Sequence, residues 1–408
     1  MPDASLPEGL SGRCDERFAA LAELLARQIA TGAHHGASLS AYFEGQCVVD
    51  VWGGKRGPAI GDDYPDGPER PWSADTLSIS FSTTKGVAAT ALHMAMERAG
   101  VDYDQQVAEL WPAFASHGKD RITIRHVLCH EAGIPQIRDV VPGPEAFLDY
   151  DEMIRRLEAL EPVWEPGTAN GYHAVTFGHL VAEILRRIDG RRIDQFVADE
   201  IARPLGLDGC FIGTPATEHA RVAPVLTPPT TSAPDDISWI EALVGPDHLL
   251  VRALAPPGDM TGFLNSPEGA ASVAPAFTGA FTARSLARLY ACLERGGTLD
   301  GVTLLRPETL AEATTLQNKR PDLVLVLPGY WRLGYMGGGS SWSPAGPDRA
   351  AFGHNGLNGS VGLADPACGL SLGLTLDRVE LNVLGSDRTL SMVQTAVAAG
   401  HAARSAKT

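Results

Sequence analysis

Two side chains in one short segment have the types and spacing for covalent chemistry. In Ile79-Ser80-Phe81-Ser82-Thr83-Thr84-Lys85-Gly86, Ser82 precedes Lys85 by three residues. That is nearly one helical turn, so the hydroxyl and the amine share a face if the segment opens a helix. A serine hydroxyl is a weak nucleophile at neutral pH, and a neutral lysine amine can take its proton where burial and nearby positive groups lower the lysine pKa. A helix N-terminus would add backbone N–H groups beside the developing oxyanion. Ser-x-x-Lys alone is also an ordinary exposed N-cap arrangement. The run after Lys85 argues against an exposed cap: GVAATALHMAM is a nearly uncharged series of small and apolar residues, expected to be buried on most faces. A lysine that opens a buried helix needs an internal partner.

These residues resemble the serine β-lactamase-like superfamily: penicillin-binding proteins, class C β-lactamases and the carboxylesterases called family VIII. The likeness runs over most of the chain. After Ser82-Thr83-Thr84-Lys85 it includes Ile122 to Leu128 (ITIRHVL), His130 to Pro135 (HEAGIP), Glu165-Pro166-Gly167-Thr168 before Tyr172, and Gly279 to Arg284 (GAFTAR) before a helix. The resemblance implies that Tyr172, in Gly171-Tyr172-His173-Ala174, assists proton transfer to and from the nucleophile. A phenol with a pKa near 10 needs a cationic neighbour such as Lys85 for that; the alternative is a tyrosine that only packs against the next helix. β-Lactamases commonly have Asn two residues after this tyrosine, where this chain has Ala174.

The third motif implied by the resemblance is His354-Asn355-Gly356, where β-lactamases carry Lys-Thr-Gly and the esterases often begin with His or Trp. A strand glycine permits close approach of a substrate, and the next residue, Leu357, would supply a second oxyanion N–H beside that of Ser82. Replacing lysine by His354 removes a fixed charge for a substrate carboxylate, which favours neutral esters or amides over carboxylated β-lactams. The plain alternative is a glycine-rich hairpin with a surface histidine. Lys85 and His354 are the pocket's candidate positive groups.

Other motifs are weaker. Gly369-Leu370-Ser371-Leu372-Gly373 fits G-x-S-x-G, but a nucleophile elbow sits between strand and helix and this serine lies within a strand-like run. His126 and His130 have metal-ligand spacing, yet H-E-x-x-H is absent and capping or packing explains them. Asp62-Asp63 read as solvated loop charges. The six cysteines lack any C-x-x-C pair and read as buried thiols. No metal and no cofactor are expected.

The elements that must position Ser82, Tyr172 and His354 come from distant parts of the chain. Residues 14–31 place Phe18, Leu21, Leu24 and Leu25 on one helical face, and Ala37 to Gly53 reads as a hairpin around Glu44-Gly45. From Asp75 the pattern becomes mainly helical, with helices expected at TTKGVAATALHMAMERAG, ITIRHVLCH, EAFLDYDEMIRRLEAL and VTFGHLVAEILRRI. Residues 212–280, rich in Pro, Thr, Gly and Asp, read as a long, partly structured connection that walls a pocket. After two more helices, residues 350–378 alternate strand-like segments with turns, and a helix near Asp387 to Ala399 closes the chain. This is an α+β pattern: an antiparallel sheet flanked by helices, with an inserted mainly helical domain. The expected division is a sheet domain from residues 1–78 and 275–408 and a helical domain from residues 79–274, with the site at their seam.

With 408 residues, 44% of them hydrophobic and 20% charged, the chain can bury a large core and is too apolar for disorder. A net charge of −16 disfavours nucleic acid and anionic membranes as partners. Acidic residues stand where a signal peptide would need a basic flank, and no stretch has the length of a membrane span, so a soluble cytoplasmic protein is expected. The expected function is hydrolysis of small-molecule esters or amides through an acyl-Ser82 intermediate, as a carboxylesterase. An acyltransferase acting from the same intermediate is the alternative, followed by a D-aminopeptidase or β-lactamase, or a catalytically dead homologue. The oligomeric state is left open by the sequence.

Overall fold

The computed structural model describes residues 3–61, 64–227, 241, 244–254, 256–379 and 387–407. Strand β1 (Leu10–Cys14) leads through helix α1 (Ala19–Ala30) to strands β2 (Gly36–Phe43) and β3 (Gln46–Arg56). The hairpin between β2 and β3 turns at Glu44 and Gly45, with φ of 50° and 80°, the left-handed pair that a tight hairpin needs. Strand β4 (Leu77–Ile79) then runs through the 3-10 turn Phe81–Thr83 into helix α2 (Thr84–Ala99). Helices α3 (Ile124–Leu128), α4 (Tyr150–Ala159) and α5 (Thr176–Asp189) follow, then the short strands β5 (Cys210–Ile212), β6 (Val222–Ala223) and β7 (Gly279–Phe281). Helix α6 (Ala283–Glu294), strands β8 (Met336–Gly337), β9 (Phe352–Asn355), β10 (Val361–Asp365) and β11 (Leu370–Leu376), and helix α7 (Asp387–Ser405) complete the chain.

The main sheet has the order β1-β3-β2-β11-β10-β9-β8, with an eighth short strand, Arg70–Pro71, against β3. Its pairs are antiparallel, and β2 beside β11 joins the two ends of the chain. Strands β5, β7, β4 and β6 form a second, four-stranded sheet that draws on both sides of residues 79 and 275. The architecture is thus an antiparallel sheet flanked by helices, with a mainly helical stretch between its two halves in sequence.

Alternation along β11 shows how the layers form. Leu370, Leu372, Leu374 and Leu376 enter a core with Phe18 and Leu25 near α1 and Met392 and Val393 of α7. Between them, Ser371 and Gly373 face α6. A Cβ at Gly373 would stand 2.3 Å from the Ala283 carbonyl oxygen, so only glycine lets the helix lie this close. Ser371 is buried and its hydroxyl donates to the Ala287 carbonyl at 2.9 Å. The G-x-S-x-G match is therefore a strand–helix packing pattern.

Three expectations are modified. The helix at ITIRHVLCH is only five residues long; His130 takes φ 60° and its carbonyl accepts from Gly171 N–H, a tertiary contact that ends the helix. Within residues 212–280 the described parts include helical turns at Leu249–Leu254, Met260–Leu264 and Pro267–Ala271, while 228–240, 242, 243 and 255, like Asp62 and Asp63, lie outside the described residues. Cys47 is only half-buried, unlike the other five cysteines. No helix among the described residues is long and apolar enough to cross a membrane.

Candidate active site

Ser82 sits where β4 turns into α2. Phe81, just before it, has φ 46°, a left-handed conformation that costs a non-glycine residue roughly 1–2 kcal/mol. The surrounding framework holds the bend. Ser360 Oγ donates to the Ser80 carbonyl at 2.9 Å, and Asn358 Nδ2 donates to the Ile79 carbonyl at 3.1 Å. Ser82 is thereby left partly exposed, while every α2 residue from Thr84 to Met96 is buried.

Lys85 has no exposed surface. Its Nζ lies 2.9 Å from Ser82 Oγ and donates to the Ala276 carbonyl at 3.0 Å. Burial pushes its pKa well below the ordinary lysine range, which favours the neutral amine, the form whose lone pair can take the serine proton. Tyr172 reaches the same hydroxyl, with its phenol hydrogen-bonded to Ser82 and its pKa raised by burial. Lys85 Nζ is 5.0 Å from the Tyr172 ring centre. The sequence asked two things of Lys85, a neutral amine for the serine and a cationic neighbour for the tyrosine. Burial lowers the amine's pKa and raises the phenol's, which favours the first role and not the second.

Tyr172 is fixed from several sides. Its ring stacks on Trp331, centroids 5.5 Å apart with planes within 5°, and the His130 ring meets it edge-on at 5.0 Å. Its backbone N–H donates to Asp322 Oδ1 at 2.9 Å. The same buried carboxylate accepts from Val324 N, Leu325 N, Asn170 Nδ2 and Trp331 Nε1. Asp322 thus ties the Tyr172 segment to the 322–331 loop. His126 has a local role: its ring accepts from Thr123 N–H and its own N–H donates to Thr123 Oγ1, a reciprocal cap on α3.

His354, Asn355, Gly356 and Leu357, at the end of β9, line the same cleft as Ser82 and Tyr172. A Cβ at Gly356 would stand 2.3 Å from the Ser80 carbonyl oxygen, so glycine is what lets β9 lie against the β4–α2 junction. His354 Nδ1–H donates to the Asn355 carbonyl at 2.9 Å, and its buried Nε2 has no partner among the described residues. Burial, then Lys85, pushes its pKa down to about 3. Burial disfavours charge on both Lys85 and His354, the positive groups the sequence suggested. The cleft has a volume of about 130 Å³ and is walled by apolar side chains including Phe81, Val175, Leu254, Met260, Phe277 and Leu325. Three of these come from the 212–280 stretch.

Known proteins resemble this chain over most of its length. The model of the family described as Beta-lactamase matches residues 21–396. The chain belongs to the beta-lactamase family. Within this family it is 34% identical over 383 residues to the Mycobacterium tuberculosis protein named Esterase/beta-lactamase LipL, covering 93% of this chain and 85% of that one. A family VIII carboxylesterase crystal structure superposes with a TM-score of 0.83 at 32% identity, covering 96% of this chain and 99% of the other. A penicillin-binding-protein homologue from Caulobacter crescentus gives 0.81 at 34% identity, with coverage of 96% and 99%. The protein is therefore a hydrolase of the beta-lactamase family.

The structure brings all seven residues singled out in the sequence to one cleft: Ser82, Tyr172, His354, Asn355, Gly356 and Leu357 on its wall, with Lys85 behind Ser82. Sequence reasoning missed Asp322, Trp331 and the Ala276 carbonyl. The carbonyl carries no side-chain signal. Asp322 and Trp331 lie more than one hundred residues after Tyr172 in sequence, with no spacing rule to link them. One further cluster lies elsewhere: Asp348, Cys368 and His401 offer metal-ligand atoms within 4.8 Å of one another, and Asp348 already pairs with His401 at 2.6 Å.

Proposed function

We propose that this protein is a serine carboxylesterase acting on neutral small-molecule esters. The observation that carries the reading is the fully buried Lys85 amine 2.9 Å from the Ser82 hydroxyl at an apolar cleft. Lys85 takes the Ser82 proton as Oγ attacks the ester carbonyl, and the carbonyl π electrons move onto oxygen. The backbone N–H groups of Ser82 and Leu357 are assigned to that oxyanion. As the tetrahedral intermediate collapses, the Tyr172 phenol protonates the departing alkoxide and is reprotonated by the Lys85 ammonium. Water then attacks the acyl-serine by the same route, giving the acid and restoring the neutral amine.

The uncharged His354 supports neutral substrates, since nothing at that position would hold a carboxylate. The resemblance to LipL and to a family VIII carboxylesterase supports ester hydrolysis. An added alcohol or amine that outcompetes water for the acyl-serine would make the same site an acyltransferase.

Intact-mass measurement after exposure to short activated esters tests the assignment. The wild type is expected to gain one acyl group transiently and Ser82→Ala to gain none. Acylation and turnover of Ser82→Ala at the wild-type rate would show the nucleophile to be elsewhere. Repeating the reaction with added alcohols or amines measures the partition between hydrolysis and transfer.

A further inference from the structure

The catalytic cleft has a neighbour. Leu325 and Met336 line it, and the same two side chains line a second cleft of about 390 Å³. The far part of that cleft is formed by Leu327, Pro328, Tyr330 and Trp342. Large apolar side chains are also unusually exposed here. Among the described residues, four of the eight exposed large hydrophobics, Leu323, Val326, Leu327 and Trp342, fall within one stretch of twenty residues. Trp342 is 76% exposed and Val326 67%. Singly scattered apolar residues need no explanation, whereas a concentrated set of which Leu327 and Trp342 line a groove marks a binding surface.

The loop is also held in an unfavourable backbone shape. Val326 and Tyr330 have φ of 68° and 47°, and the left-handed region is especially poor for a β-branched residue such as valine. Asp322 fixes both ends of the distortion, accepting from Val324 N and Leu325 N on one side and Trp331 Nε1 on the other. Strain held in place by a buried carboxylate, beside exposed apolar side chains, is characteristic of a preformed ligand clamp.

We infer that the second cleft receives the far end of a long, unbranched acyl chain whose carbonyl is held at Ser82. The inference rests on the ester-hydrolase reading above and narrows its substrate class. The acyl part is the natural occupant because it stays bonded to Ser82 through both half-reactions, so groove contacts act in both. The leaving alcohol must depart and admit water. The bridge at Leu325 and Met336 is apolar, which suits methylenes.

The test is a series of aryl esters with acyl chains of increasing length, each below its aggregation concentration, alongside a series of acetates of increasingly long alcohols. Each buried methylene is worth up to roughly fourfold in kcat/KM, so decanoyl should exceed butyryl esters by at least about tenfold. Trp342→Ser and Leu327→Asn, both at exposed positions, should reduce that ratio several-fold. A flat acyl series, a gain confined to the alcohol series, a ratio unmoved by both variants, or a gain seen only above aggregation would each overturn the inference. The last would mark the patch as a lipid-interface contact. A binding measurement separates this from failure of the catalytic assignment. In Ser82→Ala a decanoyl ester should shift tryptophan emission, and the shift should shrink when Trp342→Ser is added. A wild type that gives the emission shift but no turnover would fault the catalytic reading alone, and absence of the shift would fault the groove.

Discussion

At the scale of single residues, desolvation decides how this site ionises. Lys85 is pushed well below its ordinary range by burial, and only its neutral form can accept the Ser82 proton. Activity must therefore rise with pH as the ammonium loses its proton, and the rise comes at lower pH than for an exposed lysine. His354, pushed down to about 3, is already neutral over the working range and adds no step of its own. For a neutral ester, kcat/KM between about pH 5 and about pH 9 should show one acid limb, and His354→Gln should leave that limb where it is. Lys85→Arg, permanently charged, should lose activity by roughly a factor of a thousand at every pH. A limb at the usual imidazole value that vanishes in His354→Gln would contradict this assignment. The Ser82–Lys85 pair was legible because helical spacing alone brings the two side chains together. Their protonation states were not, because those depend on the walls around them.

At the scale of elements, Asp322 links the tyrosine segment to the 322–331 loop. Its Oδ1 accepts three backbone N–H groups and its Oδ2 accepts from Asn170 and Trp331. In Asp322→Asn the remaining oxygen can keep the three backbone donors. Asn170, whose own Oδ1 is buried without a partner, can turn its amide to match. Trp331 Nε1 is then left unpaired, at about 1–3 kcal/mol. Asp322→Ala strips all five donors and should cost more than about 4 kcal/mol. Denaturant melts should rank wild type, Asp322→Asn and Asp322→Ala in that order. Because Trp331 stacks on Tyr172, Asp322→Asn should also lower kcat on a short ester more than it raises KM. Equal stability of all three proteins would remove Asp322 from this role. Helix α2 and the β2–β3 hairpin were legible from local pattern. The short α3 was not, since the contact between His130 and Gly171 that ends it joins segments about forty residues apart.

At the scale of the whole molecule, stability depends on docking the end of the chain onto the main sheet. Asp365, at the end of β10, is fully buried; its Oδ1 accepts from Ala367 N–H while Oδ2 has no donor. Burial and then the neighbouring Asp348 raise its pKa to about 6, from 3.8. A folded value above the unfolded one means that the stability this carboxyl provides is present below its ordinary range and is lost as pH rises through about 6. Asp365→Asn supplies a donor toward Asp348 without charge, so its Tm should exceed that of wild type at about pH 7.5 and approach it at about pH 4. A lower Tm at the higher pH would show that the carboxylate is needed in its ionised form. The net charge of −16 gave no hint of such a local penalty, because a total does not say which carboxylates are forced together.

The sequence by itself pointed to Ser82 and Lys85 as a pair, to a buried helix α2 of small and apolar residues, and to the antiparallel strands at the two ends of the chain. All three follow from short-range rules: helical spacing, side-chain volume and alternation. Only the tertiary structure decided that Tyr172 and His354 line one cleft with Ser82, that burial lowers the Lys85 pKa, that Asp322 anchors the tyrosine, and that Leu325 and Met336 face two clefts. Those properties arise from water excluded by residues far apart in the chain, and desolvation is a property of the assembled surroundings, not of any segment read alone.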